Sequence, residues 1–148
     1  MFDFMTVARA LTDENRVRIL MALRDREMCV CQVTAFLNLS PSTTSKHLSI
    51  LKQARLIESR KKGKWVYYRL TGKGTASACV NHAISWAVAC VKDAPAVRED
   101  ARRIEAILER ERQLCLGMTD DGDAFHSLEI HTISDPEMEN ASVGEESA

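Results

Sequence analysis

Apolar positions recur at helical spacing from the start of the chain. Phe4, Val7, Ala8 and Leu11 fall on one side of a helix, and Thr12 offers a cap for a second helix carrying Val17, Leu20 and Leu23. Val33, Phe36 and Leu37 form a further apolar side, which predicts a third helix from about Cys29 to Leu39. Ser40-Pro41 then closes that helix and opens the next, because serine caps helix starts and proline is favoured in the first turn. The fourth helix is expected to reach about Gln53. Beyond it the pattern changes. Leu56-Ile57-Glu58-Ser59-Arg60 and Trp65-Val66-Tyr67-Tyr68-Arg69-Leu70 are rich in β-branched and aromatic residues and are joined by Lys61-Lys62-Gly63-Lys64, which predicts a hairpin with a cationic tip.

Two more helices follow. Residues 73 to 92 place Ala76, Cys79, Val80, Ala83, Trp86, Ala87 and Cys90 on one stripe, too apolar to face water. Asp93-Ala94-Pro95 ends that helix, and a charged one from about Ala96 to Cys115 carries Val97, Ala101, Ile104, Leu108 and Cys115 along one side. A core of this size does not cover both stripes, so a homodimer through the terminal helices is expected. The element order gives a mainly α (α+β) fold, a winged helix-turn-helix with a two-stranded β-hairpin wing. Its expected organisation is a DNA-binding and dimerisation domain over residues 1–95, an additional C-terminal helix over 96–118 and an acidic tail over 119–148.

Charge sharpens this picture. The chain has 20 Lys and Arg against 21 Asp and Glu, yet residues 1–118 hold all 20 cations and 12 acids, while residues 119–148 hold nine acids and no Lys or Arg. That last segment has few large apolar residues and no helical period, so it is expected to stay mobile. Between Lys46 and Lys73 there are nine Lys or Arg and one acid, Glu58, an electrostatic footprint for phosphate. On a helical wheel of the fourth helix, Thr44, Leu48, Leu51 and Arg55 cluster on one side, while Ser42, Thr43, Lys46 and Ser49 face away. The outward Ser42, Thr43 and Lys46 are the expected readers; Thr44, at the start of the same helix, is included in the expected DNA-contacting set, as are Lys61, Lys62 and Lys64 at the hairpin tip. His47 projects sideways, as a DNA contact or as a half-buried hydrogen-bonded side chain.

Other classes are excluded by what is missing. No apolar run approaches the ~20 residues that cross a bilayer, and Met1-Phe2-Asp3-Phe4 begins no secretory signal, so a cytoplasmic protein with no membrane partner is expected. Its five cysteines then read as thiols, metal ligands or core filler before disulfides. Cys79 and Cys90 fit small core side chains on the dimer stripe, and Cys115 fits either core filler or a third ligand. Cys29-Val30-Cys31 differs. In a regular helix residues two apart point about 200° away from each other, so two thiolates share an ion there only if the helix start is extended or frayed. A soft ion held by both would favour an unwound start to the third helix and so strain the helix that it supports. With no nearby histidine and no Cys-x-x-Cys spacing, a thiol enzyme is not expected.

The run MCVCQVTAFLNLSPSTTSKHLSILKQARLIESRKKGKWVYYRL, residues 28–70, resembles the ArsR family of arsenic- and metal-responsive winged-helix repressors. Two places carry the likeness: the Cys-Val-Cys box, and Gly63-Lys64-Trp65-Val66-Tyr67-Tyr68-Arg69-Leu70 in the wing. The resemblance implies a dimeric repressor that leaves its double-stranded operator DNA when an inducer binds. Cys29 and Cys31 match the family's two box thiolates. Where arsenite sensors have a third cysteine three residues later, this chain has Thr34, so Cys115 from the C-terminal helix of either subunit becomes the candidate third ligand. Cadmium or lead sensors draw thiols from an N-terminal arm, but Met1 to Met28 contains no cysteine. Zinc or nickel sensors use histidines and carboxylates on the dimer helix, where this chain offers His82 alone. The resemblance thus implies arsenite or antimonite as inducer and no catalytic cofactor. Thiol-based redox sensing, or cadmium or lead sensing on the same fold, is the alternative.

Overall fold

The computed structural model describes residues 1–72 and 74–117, without the side chains of Phe2 and residues 115–117. The tail expected at 119–148 lies outside the described residues. The elements run α1 Phe2–Ala10, α2 Glu14–Ala22, β1 Met28–Cys29, α3 Val30–Leu37, α4 Pro41–Gln53, β2 Ile57–Lys62, β3 Trp65–Leu70, α5 Ala78–Val91 and α6 Pro95–Gly117. Six helices and a small sheet in this order make a winged helix-turn-helix, as the residue pattern predicts.

Local chemistry sets the boundaries. The cap of α2 is Asp13 rather than Thr12: the Asp13 carboxylate accepts the Arg16 N–H at 3.0 Å, while the Thr12 hydroxyl turns back to the Arg9 carbonyl and closes α1. Ser40 caps α4 by accepting the Thr43 N–H at 3.2 Å, with Pro41 following it. Asn38 takes the left-handed conformation (φ 55°) between α3 and α4, which suits asparagine at a helix end. Helix α5 starts five residues later than the apolar stripe suggests. The chain around Gly72 turns instead, with the Thr75 and Ala76 N–H groups donating to the Gly72 carbonyl, before Ser77 caps the helix.

Pairing in the sheet departs from expectation. The hairpin of β2 and β3 forms with Ser59 opposite Tyr68 and Lys62 opposite Trp65, turning at Gly63 with φ +61°. A third strand joins it. β1 lies antiparallel on the other edge of β3, with Met28 opposite Tyr68 and Cys29 opposite Tyr67. The expected two-stranded wing is thus a three-stranded sheet that reaches back to the cysteine box.

The core is built from Ile19 and Leu20 of α2 with Leu23 at its C-terminal cap, Met28, Val33 and Phe36 around α3, Leu48 and Leu51 of α4, and Leu56 and Ile57 entering β2. The apolar stripe of α5 divides. Val80 and Ala87 turn inward and are buried, while Trp86 is 64% exposed and Cys90 is exposed. Phe4 and Met5 of α1, which packs on α5, are exposed as well.

Helix α6 does not project away. It lies along α2 and α3, burying Ile104, and Arg18 of α2 grips Asp100 with two hydrogen bonds of 2.7 and 2.6 Å. This hydrogen bond holds the Arg18 guanidinium further above its ordinary value. A raised cation loses its contribution only as pH climbs through that higher value, so alkaline pH in the ordinary range does not discharge Arg18.

Candidate nucleic-acid interface and thiol site

Helix α4 presents its first turn outward. Ser42 and Lys46 are exposed and Thr43 is half-exposed. The Ser40 hydroxyl organises this turn, lying 3.2 Å from the Ser42 hydroxyl and donating to the Thr43 hydroxyl at 2.8 Å. Leu48 and Leu51 anchor the opposite face in the core. Thr44 must leave the DNA-contacting set: it is completely buried, and its hydroxyl donates to the Ser40 carbonyl at 3.1 Å. It sits at the core-facing angle of the wheel, beside Leu48 and Leu51. His47 keeps 13% of its side chain exposed and turns toward α2, with Nδ1 3.6 Å from the Asp13 carboxylate. That distance is too long for a hydrogen bond, and Nδ1 has no other partner among the described residues.

The wing supplies the second cationic surface. Lys61, Lys62 and Lys64 are all exposed at the tip. The wing arginines are engaged instead. Arg60 pairs with Glu27 just before β1, and Arg69 pairs with Glu58 at 2.6 Å and approaches Glu27 at 3.9 Å. Free cationic charge is therefore concentrated on the three lysines, with phosphate as the matching ligand.

Cys29 and Cys31 meet at the start of α3, joined as a disulfide with Cα atoms 5.5 Å apart. The expectation of thiols before disulfides is corrected for this pair. Cys29 is both the end of β1 and the cap of α3, in extended conformation (φ −81°, ψ 166°), so its side chain swings toward that of Cys31 rather than away. Cys29 is 7% exposed and Cys31 is more open. Reduced, the pair presents two convergent soft donors.

No cluster of three or more potential metal ligands occurs among the described residues. Thr34 occupies the position of a third box thiol, with its hydroxyl buried and unpartnered among the described residues. Cys115 falls within α6, and its side chain lies outside the described residues. Cys79 is half-buried on α5, as a small core side chain would be.

Three connections run from the box, and sequence reasoning missed two of them. Helix α3 packs on α4, as expected for a helix-turn-helix. β1 is hydrogen-bonded to wing strand β3, with Glu27 adding ionic ties to Arg60 and Arg69. Gln32 receives the Cys29 N–H on Oε1 at 3.0 Å and donates from Nε2 to Glu111 of α6 at 2.7 Å. Gln32, three residues after the cap, follows the capping-box spacing, with cysteine where serine or threonine is usual. That spacing was a signal for its bond to Cys29, though none pointed to Glu111.

Residues 13–59 match the family model described as bacterial regulatory protein, arsR family. The arsenical resistance operon repressor of Escherichia coli K12 is 33% identical over 111 residues, covering 74% of this chain and 86% of that protein. The chain belongs to the ArsR family. Among other ArsR-family relatives, the arsenic resistance transcriptional regulator ArsR1 of Pseudomonas putida is 45% identical over 65 residues, 43% of this chain. That match spans only 51% of the relative's length. A cadmium resistance regulatory protein, CadC of Listeria innocua, is 44% identical over 71 residues, 45% of this chain and 60% of that protein. In solved structures, the homodimeric winged helix-turn-helix DNA-binding domain Mb0332 of Mycobacterium bovis superposes with a TM-score of 0.52 at 25% identity. It covers 63% of this chain and 82% of that one. The chain is thus an ArsR-family protein with a winged helix-turn-helix fold, and no described helix is long and apolar enough to cross a membrane.

Proposed function

We propose that the protein is a cytoplasmic, homodimeric repressor that leaves its operator when trivalent arsenic or antimony is bound by Cys29, Cys31 and Cys115. The observation that carries this reading is the convergence of Cys29 and Cys31 on a residue that ends one strand and starts one helix. A chelate there acts on both DNA-contacting parts at once, on α4 through α3 and on the wing through β1. Ser42, Thr43 and Lys46 read and position the DNA, and Lys61, Lys62 and Lys64 hold phosphates. The exposed apolar side chains of α1 and α5, Phe4, Met5 and Trp86, form the dimer contact. Two-fold symmetry then calls for a palindromic site. The arsenic-resistance names of two relatives agree with this choice of inducer.

The Cys29–Cys31 bond favours a second reading, release on oxidation of the pair with no bound ion. The two separate in one experiment. Fully reduced protein on labelled promoter DNA is titrated with arsenite, antimonite, cadmium and zinc, and in parallel with peroxide. Release by stoichiometric arsenite under reduction supports the metalloid reading. Release by peroxide alone supports the redox reading and overturns the first.

A further inference from the structure

Gln32 makes two hydrogen bonds that lead to different parts of the molecule. Its Oε1 accepts the Cys29 N–H at 3.0 Å and closes the first turn of α3, while its Nε2 donates to the Glu111 carboxylate of α6 at 2.7 Å. The first bond is half of a capping box. The second is charge-assisted, and its acceptor sits on a helix that is fixed elsewhere. Asp100 ties α6 to Arg18 of α2, Ile104 enters the core, and Glu105 takes Arg26 at 2.9 Å. An amide has one nitrogen and one oxygen, so a Gln32 nitrogen turned to Glu111 leaves the oxygen for the cap, which is the atom that the Cys29 N–H needs. A carboxylate 79 residues away thus orients the side chain that caps the thiol box. Two thiols at the spacing of Cys29 and Cys31 share an ion only when the helix start loosens, and loosening it breaks the bond from the Cys29 N–H to Gln32.

We infer that Glu111 and Gln32 are positioning residues that set the threshold of the box: α6 holds the start of α3 wound, and a ligand of the Cys29–Cys31 pair works against that hold. This rests on the pair as inducer site in the proposed function, and it asks α6 for no ligand. The wound start belongs to the form in which α3 supports α4, and the loosened start to the form that takes the ion. While the wound form predominates, removing the hold leaves operator affinity almost unchanged and raises the small loosened fraction. Apparent affinity for the ion rises with that fraction. Gln32 and Glu111 are both half-buried, and the net worth of a hydrogen bond between such partners corresponds to about three- to tenfold.

The test titrates the reduced full chain, bound to labelled promoter DNA, with arsenite. Glu111→Ala is expected to lower the arsenite concentration for half-release about three- to tenfold, with operator affinity in the absence of arsenite within about twofold of wild type. The Gln32→Glu/Glu111→Gln double variant exchanges the two groups: the carboxylate at position 32 accepts the Cys29 N–H, and the amide at position 111 donates to it. It is expected to restore the wild-type threshold. A merely structural prop would show a different pattern, in which Glu111→Ala weakens operator and arsenite binding together. That pattern, an unchanged threshold in Glu111→Ala, or a double variant that stays as sensitive as Glu111→Ala would each overturn the inference. Wild-type protein that arsenite does not release would instead overturn the proposed function on which it rests.

Discussion

Replacing Lys61, Lys62 and Lys64 by alanine tests where the DNA lies. All three are exposed and take part in no ion pair among the described residues, whereas Arg60 and Arg69 already face Glu27 and Glu58. The wing therefore contributes three effective cations. Each phosphate contact adds about 0.9 to the slope of log affinity against log salt, so the triple variant should flatten it by about 2.7 per wing and about 5.4 per two-winged dimer. Between roughly 50 and 200 mM salt the wild type should then lose about a thousandfold more affinity than the variant. Fluorescence anisotropy on a labelled promoter fragment, repeated across that range, reads the slope. Arg60→Ala, which removes an already paired charge, should change it by less than about 1. An unchanged slope in the triple variant would refute the placement of the wing on DNA, and a large effect of Arg60→Ala would refute the division into free and engaged cations.

Three further outcomes follow from the contacts. Ser40→Ala removes the cap of α4 and the hydroxyl that organises Ser42 and Thr43, so urea melts should lose about 1 kcal/mol and operator affinity should fall with it; an unchanged melt would mean that the cap contributes nothing. Arg18→Met leaves the Asp100 carboxylate, 4% exposed, without its cation, and should cost about 3 kcal/mol in the same assay, whereas a loss under about 0.5 kcal/mol would show that α6 is not held by this pair. Glu27→Ala unties the box strand from Arg60 and Arg69 at a stability cost below about 1 kcal/mol. It should narrow the ratio of operator affinities without and with arsenite by about fivefold, and an unchanged ratio would mean that the wing takes no part in release.

Much of this architecture is legible in the residues because it is local. Ser40-Pro41 marks the start of α4 within itself, and the change from helical to alternating period marks the wing. The wheel of α4 already put Thr44 beside Leu48 and Leu51, and the structure follows the wheel. The features that escaped are short or distant. β1 is two residues long, too brief for any periodicity, and its partner β3 lies some forty residues on. That strand, by making Cys29 a strand end and a cap at once, is what turns the two sulfurs toward each other. The stripe on α6 pointed to the dimer contact, whereas in the structure α6 packs on α2 and α3 of its own subunit and buries Ile104 there. The pairs that hold it, Arg18–Asp100 and Gln32–Glu111, are 82 and 79 residues apart in sequence.

The central claim is that chemistry at Cys29 and Cys31 and docking on DNA exclude each other. Operator affinity of reduced protein, measured with and without saturating arsenite for the wild type and for the Cys29→Ser/Cys31→Ser variant, tests it directly. The account predicts a fall of about 5- to 150-fold for the wild type, the usual range of coupling, and none for a variant that still binds the operator. Wild-type protein carrying arsenic on this pair and holding its operator as firmly as the empty form would contradict it.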